Sequence, residues 1–115
     1  MKFSRFELET IDIKPLANAI SSQMDRSYVN ETDEMIIIAS ETYKLRTNST
    51  QMNMVIVKKV NSKSYVDIIG AAGGTGILNI SLWAESGFVR STLKQLEEYC
   101  SLHGIRYTKQ EMKGY

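Results

Sequence analysis

The sequence predicts an α+β fold: a curved antiparallel β-meander of about five to six strands, with an N-terminal helix and a long C-terminal helix packed on it. Three observations carry this expectation. Apolar residues recur at helical spacing near each end of the chain. Between them lie runs that are β-branched or alternate apolar with polar. The turns separating those runs are too short for a parallel crossover, so neighbouring strands must be antiparallel.

The elements follow in order. Lys2 to Leu8 reads as a short strand, although Phe3, Phe6 and Leu8 do not keep one parity. Leu16, Ala17, Ile20 and Met24 share a helical face, and Pro15 suits a first turn, so a helix is expected over about 13–25. Tyr28-Val29-Asn30 reads as a strand, with a polar turn at Glu31-Thr32-Asp33-Glu34. Met35 to Ala39 is apolar throughout, and Thr42 to Thr47 alternates, with Tyr43 and Leu45 opposite Lys44 and Arg46. Met52 to Val60 and Ser64 to Ile69 are strands about a turn at Asn61-Ser62-Lys63, and Asp67 stands outward between Val66 and Ile68. A glycine loop, Gly70 to Gly76, precedes an expected strand at Ile77–Trp83, in which Leu78, Ile80 and Leu82 share a face. A helix capped at Glu85 or Ser86 then runs to about Leu102, with Phe88, Val89, Leu93, Leu96, Tyr99 and Cys100 on its apolar side. Gly104 stands where a left-handed C-terminal residue is wanted, and Ile105-Arg106-Tyr107 could add a short strand.

A chain of 115 residues with 43% hydrophobic and 23% charged residues is expected to form a single domain over 1–115, with 105–115 as a loosely ordered tail. The formal net charge is +1, which argues against a dedicated nucleic-acid binder. Trp83, Tyr28, Tyr43, Tyr65 and Tyr99 lack the interleaved basic residues of a base-stacking strand and read as core or interface. The lone Cys100 permits no intrachain disulfide, and with the lone His103 it makes no zinc set. No apolar run approaches the roughly 20 residues of a bilayer span, and no leader-like segment opens the chain, so the cytoplasm is the expected location and no membrane contact is expected.

Candidate chemistry is sparse. The loop Gly70-Ala-Ala-Gly-Gly-Thr-Gly76 lacks the Gly-Lys-Ser/Thr ending of a phosphate loop. With a strand expected after it, no helix N-terminus offers anion binding, and the loop reads first as a bend in the sheet. Cys100 falls on an apolar helix face and reads as a core thiol. Glu97-Glu98 and the group Glu31, Asp33, Glu34 read as solvated surface, whereas Asp67 becomes a site candidate if its face is covered. No catalytic residue, metal ligand or cofactor is implied.

Two segments, Met35–Ala39 and Met54–Val57, are apolar on both faces. One face serves the core, and the other is free for a second subunit or a cavity. The first functional expectation is therefore a non-enzymatic, homo-oligomeric binding module. The alternative is a carrier of a small apolar ligand, in a cavity beneath the last helix lined by Met54, Ile56 and Trp83. Gly73, Gly74, Thr75 and Gly76 complete the candidate ligand-contacting set.

Met35-Ile-Ile-Ile-Ala-Ser-Glu-Thr-Tyr-Lys-Leu-Arg-Thr47, the strand Met54-Val-Ile-Val57, and Gly73-Gly74-Thr75-Gly76 followed by Trp83-Ala84 and Phe88 together resemble a small family of uncharacterised bacterial proteins. The resemblance spans about 13–100 and implies an early helix, a meander with a glycine-rich turn, a strand ending near the tryptophan and a closing helix. An acidic residue that often precedes the tryptophan in that family is Leu82 here. The family implies no activity. The element order is also similar to a compact helix-grip domain, in which a C-terminal helix closes over a curved sheet and an apolar ligand often lies between them.

Overall fold

The computed structural model describes residues 2–24, 26–44, 49–73 and 78–112. Its elements are β1 (Lys2–Leu8), α1 (Ile13–Ser21), β2 (Arg26–Glu31), β3 (Met35–Lys44), β4 (Ser49–Val60), β5 (Lys63–Gly73), α2 (Leu78–His103) and β6 (Tyr107–Met112). The strands form one open sheet in the order β2-β3-β4-β5-β1-β6, with every neighbouring pair antiparallel. The α+β class and its two-helix, one-sheet layering are those predicted.

Alternation decides which side is buried. Phe6 and Leu8 of β1, Ile36 and Ile38 of β3, Val55 and Val57 of β4, and Val66 and Ile68 of β5 are almost fully buried. They meet Leu16, Ala17 and Ile20 of α1 and Val89, Leu96 and Cys100 of α2 in one core. Both helices therefore cover the same side of the sheet. At 26 residues, α2 is about 39 Å long at the usual helical rise, close to the 42 Å long axis of the molecule. Polar contacts join the elements: Gln95 Nε2 of α2 donates to the Ala19 carbonyl of α1 at 2.6 Å, and Lys109 Nζ of β6 meets Glu97 Oε1 of α2 at 2.5 Å.

The ends of the elements obey local chemistry. Asn61 adopts φ 59°, the left-handed conformation that asparagine tolerates, and turns β4 back on β5 with Val60 facing Lys63. After α2, Gly104 takes φ 65°, and the Ile105 N–H donates to the Cys100 carbonyl at 2.9 Å. That six-to-one bond and the packing of Ile105 on the core make a Schellman close. Between β2 and β3, the Thr32 N–H donates to the Met35 carbonyl at 2.8 Å and the Thr32 hydroxyl accepts the Met35 N–H at 3.1 Å.

The structure corrects the sequence reading after β5. Ile77–Trp83 was expected as a strand, but Leu78 to Trp83 belong to α2, which passes through Glu85 and Ser86 without a break. Leu78 and Leu82 are one helical turn apart, so their spacing fits a helix as well as a strand, and a run this short cannot separate the two periods. The glycine loop expected at Gly70 to Gly76 does not begin at Gly70. Gly70 to Gly73 are strand residues of β5, with Gly70 opposite Asn53 and Gly73 opposite Thr50. At the chain end, Tyr107–Met112 pair with β1, and Tyr107 stacks on Phe6 with ring centroids 4.8 Å apart. The first helix stops at Ser21 rather than near 25, yet Met24 still packs on the core.

Candidate interaction face

The side of the sheet away from the helices carries the residues that alternate with the core. On β3 these are Met35, Ile37 and Ala39; on β4, Met52, Met54, Ile56 and Lys58; on β5, Tyr65, Asp67 and Ile69; on β1, Phe3, Arg5 and Glu7. The registers align them in rows. Tyr28, Ala39, Met54, Ile69 and Phe3 stand side by side across five strands, an unbroken apolar row. The adjacent row is Asn30, Ile37, Ile56, Asp67, Arg5 and Gln110, and the next is Met35, Lys58, Tyr65, Glu7 and Thr108. Tyr28 is 53% exposed and Met52 52%, while Ile37, Met54, Ile56, Ile69 and Phe3 are half-buried by one another. Among the described residues, no helix packs on this side.

One charge network interrupts the apolar surface. Arg5 grips Asp67 with both arms, Nε donating to Oδ1 at 2.6 Å and Nη2 to Oδ2 at 3.1 Å. Lys58 Nζ lies 3.7 Å from Asp67 Oδ2, and the guanidinium carbon of Arg5 is 5.8 Å from the centre of the Tyr65 ring. The hydrogen bond to Asp67 raises the Arg5 pKa, outweighing a desolvation that lowers it. Beside this network, Lys63 Nζ meets Glu7 Oε1 at 2.7 Å, which raises the Lys63 pKa. Asp67 faces outward as predicted, but two cations cover it and its side chain is only 16% exposed. Three cations meet two carboxylates here, and Glu41, opposite Met52, supplies the third negative charge of the face.

The residues singled out from the sequence are dispersed. Met54 and Ile56 occupy neighbouring rows of the outer face, turned away from α2 and therefore not beneath it. Trp83 lies within α2, on the other side of the sheet, and its side chain is outside the described residues. Gly73 closes β5, whereas Gly74, Thr75 and Gly76 lie outside the described residues. The connection from β5 leads into a helix, so the expectation that a strand follows the glycines fails; the phosphate-loop lysine is still missing from the sequence. The sequence reading missed Phe3, Arg5 and Ile69 as partners on this face. The signal available was the alternation of Phe3, Arg5 and Glu7 with Ser4, Phe6 and Leu8.

Other candidates reduce to structure. Cys100 is fully buried, and desolvation raises its thiol pKa to about 11, which suits packing and not nucleophilic attack. His103 lies against Tyr99, one helical turn earlier, at 4.4 Å between ring centres. Among the described residues, no group of three His, Cys, Asp or Glu side chains is placed to hold a metal ion. No described helix is long and apolar enough to cross a membrane. A cleft of about 400 Å³ between Glu7, Lys63 and Arg106 to Thr108 is bordered by the Lys63–Glu7 pair.

A model of a family of unknown function, DUF6054, matches residues 8–100, and the chain belongs to that family. Neither a curated protein nor a solved structure matches.

Proposed function

We propose that this member of the DUF6054 family is a non-enzymatic interaction module that docks a second copy of itself through the outer face of its sheet. The apolar row Tyr28, Ala39, Met54, Ile69, Phe3 is the observation that carries the reading. A solvated sheet face ordinarily alternates to polar residues, and contiguous apolar surface of this kind marks contact sites.

Size and charge favour a second copy as the occupant. Six strands about 4.8 Å apart give a face about 24 Å wide, and the 12 residues of β4 extend it to about 40 Å at its longest. That is comparable with the about 800 Å² per partner of a standard interface. Among the described residues, Arg5, Lys58 and Lys63 on this side are balanced by Asp67, Glu7 and Glu41. A two-fold contact sets one patch against its own copy, which a neutral patch permits and a charged one opposes. The proposed module acts in the bacterial cytoplasm and uses no cofactor.

The test is a charge placed in the middle of the row. Met54→Lys should reduce the mass measured by light scattering from dimer to monomer while leaving the circular dichroism unchanged. Leu102→Ser removes an apolar side chain that is 82% exposed on α2 and should leave the mass unaltered. A Met54→Lys protein that associates like the parent would remove this face from the interface.

A further inference from the structure

The cleft of about 400 Å³ lies between Glu7, Glu9 and Lys63 on one side and residues 105–108 on the other. Its volume is that of a small-molecule site. The Lys63–Glu7 pair accounts for only one border of it. A second border is built from Glu9 and Arg106. The Glu9 N–H donates to the Arg106 carbonyl at 3.0 Å, one step beyond the pairing of Leu8 with Tyr107. The two residues therefore stand opposite each other, with Cβ atoms about 5 Å apart and side chains on the same side of the sheet. Both are exposed, and among the described residues neither side chain forms a hydrogen bond or an ion pair. Glu7 raises the Lys63 pKa most, and the Glu9 carboxylate adds to the rise, so its charge is felt inside the cleft.

A guanidinium takes a carboxylate through two parallel N–H bonds, and a carboxylate takes an ammonium. We propose that this cleft binds a free α-amino acid with an uncharged side chain, its carboxylate on Arg106 and its ammonium on Glu9. The spacing selects the class: Arg106 and Glu9 are neighbours across one backbone hydrogen bond, and an α-amino acid carries its two charges on one carbon. In a peptide the terminal charges stand on different residues. The side chain is uncharged because Lys63 and Glu7 already neutralise each other, and Ile105, Tyr107 and Thr108 offer no charge at neutral pH.

Leucine is the probe, titrated calorimetrically into the full-length protein. Isoamylamine is leucine without its carboxylate, and 4-methylpentanoate is leucine without its ammonium. Each should bind about tenfold more weakly than leucine, the ratio expected for one charge-assisted contact. Leucylglycine, with its charges on different residues, should weaken by a similar factor. Arg106→Gln should bring leucine down to the isoamylamine level, and Glu9→Gln to the 4-methylpentanoate level; both positions are exposed, so the fold should survive. Absence of leucine binding at about 10 mM overturns the proposal, since that is weaker than two such contacts imply. Equal binding of leucine and its two truncated analogues overturns it, as does undiminished leucine binding by either variant. Leucylglycine binding as tightly as leucine overturns the choice of a free amino acid. Leucine affinity and the mass in solution are separate readouts, so the cleft and the docking face are decided independently.

Discussion

Arg5 and Asp67, 62 residues apart in the chain, form a two-armed ion pair in the centre of the outer sheet face, with Nε to Oδ1 at 2.6 Å and Nη2 to Oδ2 at 3.1 Å. Their strands are neighbours, and the register places the two residues directly opposite each other. The pair therefore ties β1, the first element of the chain, to β5 near its middle. Lys58 on β4 reaches the same carboxylate, so three adjacent strands meet at one charge.

That pair contributes to stability in proportion to its geometry and exposure. Arg5 is 33% and Asp67 16% exposed, so solvent screens part of the attraction. A double-mutant cycle with Arg5→Ala and Asp67→Ala, read by urea unfolding, should give a coupling of about 0.5–1 kcal/mol. The value belongs near the top of that range because the contact is bidentate. Coupling indistinguishable from zero would show that the geometry carries no stability.

Cys100 makes the fold sensitive to alkali. Burial raises its folded pKa to about 11, above the about 8.5 of a free thiol. The folded state then holds a proton that the unfolded state releases, so stability contributed by the neutral thiol is complete below about pH 8.5 and is lost as pH rises toward 11. Cys100→Ala should flatten the decline in unfolding free energy across that window. The native thiol should also resist a disulfide reagent at pH 8 and react once urea unfolds the chain. Prompt reaction in the native state would contradict its burial.

Asn61 governs the β4–β5 turn. Its φ of 59° is accessible to asparagine and glycine but costs an alanine about 1 kcal/mol. Asn61→Gly should therefore leave the urea midpoint almost unmoved, while Asn61→Ala lowers stability by about 1 kcal/mol. Equal effects of the two substitutions would mean that the turn does not hold this conformation in solution.

How much was legible in the sequence follows from how local each feature is. Pro15 and the Leu16, Ala17, Ile20 spacing located α1, and Gly104 located the end of α2, because caps and helical periods are properties of adjacent residues. The Asn61-Ser62 turn sets Val60 against Lys63, and counting back along both strands brings Met54 to Ile69. That half of the outer row was readable only with the turn counted as two residues, not as the three expected at Asn61-Ser62-Lys63. The other half was not: Phe3 meets Ile69 through a pairing of β1 with β5 that no turn dictates. Arg5 was likewise unreadable as the partner of Asp67. The start of α2 was misread because Leu78, Ile80 and Leu82 satisfy alternation while Leu78 and Leu82 also satisfy a helical turn. The two apolar sides of Met35–Ala39 and Met54–Val57 were visible at once, but only the register shows that Met54 and Ile56 face away from the helices.

The central claim concerns what covers that outer face, and the mass of the unmodified protein in solution tests it most directly. Sedimentation equilibrium from low to high micromolar concentration should show a reversible rise from 13.0 kDa to twice that mass. A protein that remains at 13.0 kDa up to several hundred micromolar would contradict docking of a second copy.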